Sequence, residues 1–358
     1  MSRGTASVGD LFLLGFEGTA PDAALREWFE ALRPGGVVLF ARNIVSPEQV
    51  ADLTTGLQRW RGESPLLVAV DQEGGRVARF GPPFTAFPGN GALGRAGNVT
   101  LAERVGRVLG TELRAVGVTL NLAPVLDLRV GPANPVLGER CLGEDPASVG
   151  ALGAALIRGM QGAGVAAAAK HFPGHGGTSV DSHEGLPVVA EEAAWITGTA
   201  LAPFRGAVAA AVAGIMTAHV CCPALDRDLP ATLSPRILGL LRQDLRFGGV
   251  AISDDLLMGA IARTWPVEEA AVLAIWAGVD VVLLSGDPAA QARALAAVEA
   301  AVSAGRLPAA RLTEAASRLT ALRRRIGLPC PLSPGPLRAL LGCGDHQAVA
   351  AALLRWAQ

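Results

Sequence analysis

The chain has 358 residues, half of them hydrophobic, with a formal net charge of −1 and a pI near 6.5. That balance gives no reason to expect nucleic acid or another polyanion as partner, and the length suits one large domain or two small ones. The five cysteines show no CxxC spacing and Cys221 and Cys222 are adjacent, which reads as free thiols in a reducing compartment, not as a disulfide framework or zinc knuckle.

The apolar run from Leu11 to Phe16 is short and follows Asp10, so it does not read as a secretory signal. The most apolar stretch, Ala207 to Val220, is too short to span a bilayer and is broken by Gly214. The expectation is a soluble cytoplasmic protein that does not associate with membranes.

In chain order, short apolar runs recur at Leu11–Gly15, Val37–Phe40, Leu66–Val70, Val118–Leu122, Val165–Ala169, Gly214–Ala218, Val250–Ile252 and Val279–Leu284. Amphipathic, helix-like stretches separate them, at Pro21–Leu32, Pro47–Trp60, Ala102–Val116, Ser148–Gly162, Glu191–Ala213, Ser234–Leu245 and Val267–Gly278. Continuous apolar runs alternating with helices indicate parallel strands covered on both faces. Eight such units predict an α/β chain folded as one (β/α)8 TIM-type barrel over residues 1–328. A doubly wound open sheet is the alternative arrangement of the same units. Residues 329–358, rich in Pro and Gly and then helical, read as a C-terminal tail packed on the outside.

Polar residues able to do chemistry fall at or just past the C-terminal ends of these runs. They are Asp71, Asn121, Lys170, His171, His219, Asp254 and Ser285. In a barrel those ends converge on one face, where active sites lie.

Lys170 is the only lysine; the other 30 basic residues counted in Lys+Arg 31 are arginine. Lysine is a compact ammonium on a thin stem, whereas arginine is a wide planar fork, so a site that keeps lysine points to a need for the narrow charge. The segment Lys170-His171-Phe172-Pro173-Gly174-His175-Gly176-Gly177-Thr178-Ser179-Val180-Asp181-Ser182-His183 also holds three of the five histidines.

In Ser253-Asp254-Asp255, one carboxylate could face the pocket as a nucleophile toward an anomeric carbon while the other caps the following helix. Asp181, two residues before His183, could accept the Nδ1–H bond and leave Nε2 for proton transfer. In Asp71-Gln72-Glu73-Gly74-Gly75-Arg76-Val77-Ala78-Arg79, Asp71 could take a pair of sugar hydroxyls with Arg79 and Arg140 as donors. Both arginines could instead pair with Glu73 or Glu139. The histidines would permit a metal site, but HExxH spacing and further Cys or Glu ligands are absent, so a metal-free site is expected.

The elements Lys170–Gly176, Asp181-Ser182-His183 and Ser253-Asp254-Asp255-Leu256 resemble family 3 glycoside hydrolases of the bacterial β-N-acetylglucosaminidase branch. Asp71–Arg76, Gly138-Glu139-Arg140, and Thr217-Ala218-His219 followed by Pro230-Ala231-Thr232 are similar to that branch too. Gly177 departs from it, standing where Asp is frequent. The resemblance implies a barrel without cofactor or metal and a retaining, double-displacement mechanism. Asp254 would be the nucleophile, and His183, oriented by Asp181, the acid/base. Asp71, Arg79, Arg140, Lys170 and His171 would hold the N-acetylglucosamine. It further implies a small glycan or muropeptide substrate, as in cytoplasmic recycling of cell-wall fragments. The length favours this branch over relatives with a second domain. Rival readings are phosphorolysis by the same site, a metal-dependent barrel hydrolase, and a sugar-binding protein without turnover.

Overall fold

The computed structural model describes residues 7–130, 137–175, 177, 178, 182 and 185–357. The strands are β1 (Phe12–Gly15), β2 (Gly36–Leu39), β3 (Leu67–Val70), β4 (Gln72–Gly74), β5 (Val77–Ala78), β6 (Leu120–Asn121), β7 (Ala166–Phe172), β8 (Gly214–Thr217), β9 (Val250–Asp255) and β10 (Val281–Leu284). Eight of them close a barrel in the order β1-β10-β9-β8-β7-β6-β3-β2, with every pairing parallel. The remaining two, β4 and β5, form an antiparallel hairpin immediately after β3. The chain is therefore a closed (β/α)8 barrel and not an open sheet, and each predicted run supplies one barrel strand.

Helices start where short polar side chains can satisfy their first free N–H groups. Asp22, Ser46, Asn98, Asp145 and Ser234 each accept a backbone N–H three residues on, and Pro47, Pro146 and Pro235 then occupy the first helical position. The predicted helix over Glu191–Ala213 is interrupted. Ala193–Trp195 and Ala202–Ala209 flank a wide turn in which Leu201 N–H donates to the Ile196 carbonyl. Pro203 has no N–H to give to the preceding turn, which accounts for the break.

Two strands carry register irregularities that bear on the site. Between β7 and β8, Ala169 faces Ile215 while Phe172 faces Thr217, so β7 holds one extra residue. Between β9 and β10, Ile252 faces Val281 while Asp255 faces Leu283, so β9 does as well. In a regular strand, neighbouring side chains point to opposite faces; a bulge re-aims them. Lys170 with His171, and Asp254 with Asp255, thereby line one cavity although each pair is adjacent in sequence.

The core runs through the strands into the surrounding helices. Phe172 at the end of β7 is fully buried and meets Phe204 edge-on at 5.5 Å, the kind of contact worth about 1 kcal/mol beyond the area buried. Past Ile326, the chain returns over the barrel. Leu332 N–H donates to Ala115, and helices Pro334–Leu340 and Gly344–Leu354 bury Leu337, Val349, Ala350 and Leu353.

Candidate active site

A cavity of about 280 Å³ opens at the C-terminal ends of the barrel strands. Asp71, Arg79, Arg140, Lys170, His171 and Asp254 all line it, so the structure brings together every predicted site residue that it describes. Asp181 and His183 lie outside the described residues. Ser182 between them is buried, lines the cavity, and gives its carbonyl to Ala260 N–H at 3.0 Å.

Lys170 Nζ lies 2.6 Å from Asp71 Oδ1 and 2.7 Å from Glu73 Oε1, with the lysine side chain 3% exposed. Glu73 also accepts both prongs of the Arg140 guanidinium at 2.9 Å, while Arg95 pairs with Glu139. Ion pairing with Glu73 is thus real for Arg140, yet Arg140 still lines the cavity. Arg79 stands 3.5 Å from Asp71 and 5.8 Å from the Phe40 ring centre. Burial by itself would discharge Lys170, but the flanking Asp71 and Glu73 carboxylates outweigh it and raise the ammonium's pKa. The same contacts hold Asp71 and Glu73 below the usual carboxylate range despite their burial.

Asp254 sits on β9 itself, and its Oδ1 accepts the Asp255 N–H at 2.8 Å. Burial would raise its pKa; His219, His171, the Asp255 N–H and Lys170 together lower it, so the carboxylate is ionised. Asp255 behaves in the opposite way. Burial and the neighbouring Asp254 charge raise it, only partly offset by Ser285 and the Leu257 N–H. Asp255 does not cap the next helix, Gly259–Ala262, whose N-cap is Met258. It instead joins the ends of β9 and β10 through the Ser285 N–H at 3.2 Å and the Ser285 hydroxyl.

Two histidines are fixed with their roles readable from partners. His171 Nδ1 lies 2.6 Å from Asp127 Oδ2, a carboxylate that also accepts His171 N–H at 3.1 Å and, through Oδ1, His175 N–H at 2.6 Å. Nδ1 is thereby taken by Asp127 in a residue that lines the cavity, which leaves Nε2 as the ring nitrogen available for contacts there. Asp127 is held low in pKa by His171 and His175, against its burial. His219 uses both nitrogens. Nε2 is 2.9 Å from the Asp255 carbonyl, which can only accept, and Nδ1 is 2.8 Å from the Thr232 hydroxyl. Burial lowers its pKa, outweighing the Asp254 charge beside it, and the two ring contacts hold the end of β9.

Sequence reasoning passed over Glu73 as a site member and Asp127 altogether, and it gave His175 a possible part only in a metal site. Glu73 was visible only as a possible arginine partner. Asp127 lies five positions past the fourth apolar run, behind Pro124, so no strand-end rule pointed to it. At Gly177 a Cβ would meet only the carboxylate end of the Glu191 side chain, which can swing aside, so nothing in the backbone requires the departure. Among the described residues, no group of three or more His, Cys, Asp or Glu is arranged to hold a metal ion.

A parallel barrel with an ionised carboxylate and convergent cationic donors in a polar cavity defines a barrel enzyme built for a hydroxyl-rich substrate. Residues 6–322 match the model of the glycosyl hydrolase family 3 N-terminal domain. A β-hexosaminidase of Alkalilimnicola ehrlichii is 42% identical over 285 residues, covering 78% of this chain and 81% of the relative. A β-N-acetylglucosaminidase of Paenibacillus sp. FPU-7 superimposes with a TM-score of 0.93 at 41% identity, covering 98% of this chain and 68% of that one. NagZ of Neisseria gonorrhoeae, solved with N-trifluoroacetyl-D-glucosamine, gives 0.80 at 31% identity, covering 97% and 98%. The chain belongs to glycoside hydrolase family 3 and is a glycoside hydrolase.

Proposed function

We propose that this enzyme is a retaining exo-β-N-acetylglucosaminidase that removes terminal β-linked N-acetylglucosamine, with peptidoglycan fragments in cytoplasmic cell-wall recycling as its substrates. The observation that carries the reading is the ionised Asp254 carboxylate at the floor of a cavity ringed by Asp71, Lys170, Arg140 and His171. The names of the relatives above, and the acetamido sugar bound by one of them, support the choice of sugar.

In the proposed reaction, Asp254 attacks the anomeric carbon as the glycosidic C–O bond breaks. His183, oriented by Asp181, donates its proton to the leaving oxygen. Water then attacks the glycosyl–Asp254 ester, His183 takes the water's proton, and Asp254 leaves as carboxylate. Lys170, with Asp71, presents a narrow donor beside an acceptor, suited to one or two sugar hydroxyls. His171 offers Nε2, and Arg79 and Arg140 supply the remaining donors.

The test is hydrolysis of an aryl β-N-acetylglucosaminide by the wild type and by Asp254→Asn. The variant should lose activity on the order of 10⁴-fold; full activity would remove Asp254 from the nucleophile role. Product analysis with a muropeptide mixture tests the substrate class, and release of sugar 1-phosphate in phosphate buffer would replace hydrolysis by phosphorolysis.

A further inference from the structure

Glu112 lies on helix Val99–Ala115, and its carboxylate is 4% exposed. A buried carboxylate is tolerated only where donors saturate it. Here the donors come from two segments far apart in sequence. From one, Thr85 gives its N–H at 2.8 Å and its hydroxyl at 2.7 Å. From the other, Gly342 gives its N–H at 2.9 Å and His346 places Nδ1 at 2.8 Å. None of these residues lines the cavity.

The Thr85 segment is the continuation of the cavity wall. Phe80 and Phe84 pack with tilted rings whose centres lie 4.5 Å apart, in one apolar cluster with Leu337 and Leu341 of the C-terminal segment. Gln72 Nε2 donates to the Phe80 carbonyl at 3.1 Å, and Gln72 Oε1 accepts Phe80 N–H at 3.0 Å and Arg79 N–H at 2.8 Å. Arg79, next in sequence to this anchored Phe80, faces Asp71. The C-terminal segment is fitted to the same wall. Gly342 has φ +58°, and a Cβ there would stand 2.5 Å from the Pro83 carbonyl oxygen, so only glycine allows that approach.

We propose that Glu112 is a positioning residue for sugar binding, coupling the packing of the C-terminal segment 334–354 to the Arg79 wall of the cavity. This rests on the sugar-pocket reading above. The segment thus acts as a part of the binding site that touches no substrate. Because Arg79 contacts sugar in the ground state and the transition state alike, loosening its wall weakens binding with little effect on the chemical step.

Glu112→Gln tests this, since its NH2 in place of Oε2 cannot accept the Thr85 N–H, while Oε1 can still take the remaining contacts. Two readouts separate positioning from simple bracing of the fold. With the aryl β-N-acetylglucosaminide, KM should rise about fivefold while kcat stays within about twofold of wild type. By amide hydrogen exchange, the protected amides between Arg79 and Thr85 should exchange about tenfold faster while those of β8 and β10 keep wild-type rates. Thr85→Val and His346→Ala, which cut the two sides of the junction, should each reproduce part of the change, and their double variant should fall short of the sum. Wild-type KM, or faster exchange spread evenly over the barrel, would overturn the proposal and leave Glu112 a fold brace. A wild-type enzyme inert toward the aryl glycoside would count against the proposed function, while the exchange pattern would still decide whether Glu112 couples the two segments.

Discussion

Lys170 Nζ bridges Asp71 Oδ1, at 2.6 Å, to Glu73 beside it, so the chain's only lysine joins the end of β7 to the residues that follow β3. A guanidinium is too wide to take that position with both carboxylates in place. Lys170→Arg should therefore lower kcat/KM by about 10-fold to 100-fold, while Lys170→Met, which strands two buried carboxylates, should also destabilise the fold by about 3–5 kcal/mol. Steady-state kinetics and urea unfolding check both parts. An arginine variant with wild-type kinetics would reduce the lone lysine to coincidence.

Asp127 accepts from one ring and two backbone N–H groups at the turn after β7. Asp127→Asn keeps the size but can present an NH2 to His171, which frees the ring to change tautomer. The expected loss in kcat/KM is about 10-fold to 100-fold, as for other groups that orient a working histidine. Kinetics of the variant settle it, and a fall in kcat larger than any rise in KM is the expected pattern.

The acid side of the stability profile follows from the direction of the pKa shifts. Asp71, Glu73, Asp127 and Asp254 are all held below their ordinary values of 3.8 or 4.5. Each contributes stability that is present above the ordinary value and is lost as pH falls through the lowered one. Burial also lowers the pKa of His175 and His219, so thermal midpoints should begin to fall as pH drops through the ordinary histidine value of 6.5, and fall more steeply below about pH 4 as the carboxylates protonate. Asp255 has the opposite sign: its contribution is present in acid and lost as pH rises through its raised value. Melting curves of the wild type and Asp127→Asn across this range check the assignment, because the variant should show a shallower acid limb.

At the far end of the barrel, Asp280 is fully buried, accepting the Ala251 N–H at 2.9 Å and facing Arg242 at 2.5 Å and Arg318 at 2.9 Å. Arg311 reaches it too. Asp280→Asn leaves these guanidinium groups without their shared counter-charge and should cost about 3–5 kcal/mol in urea unfolding. Residual folded enzyme should keep the wild-type KM, since this face of a barrel serves stability. A KM change without loss of stability would contradict that division.

The alternation of buried apolar runs with helices was enough to lay out the barrel, because a strand covered on both faces must be apolar throughout and its period cannot be mistaken for a loop. The strand-end rule likewise pointed to Asp71, Lys170, His171 and Asp254, since a barrel gathers those ends in one place. It missed Asp127 and left Glu73 as a mere ion-pair partner, because their importance comes from what they touch across the barrel and no spacing encodes that. The bulges in β7 and β9 were also invisible, being a matter of pairing between strands, yet they are what let adjacent residues face one cavity. The residue types along the chain determined which groups were available for chemistry. Only the tertiary structure decided which carboxylate is ionised, which histidine nitrogen Asp127 takes and where the C-terminal segment lends support, because each of these depends on burial and on partners distant in sequence.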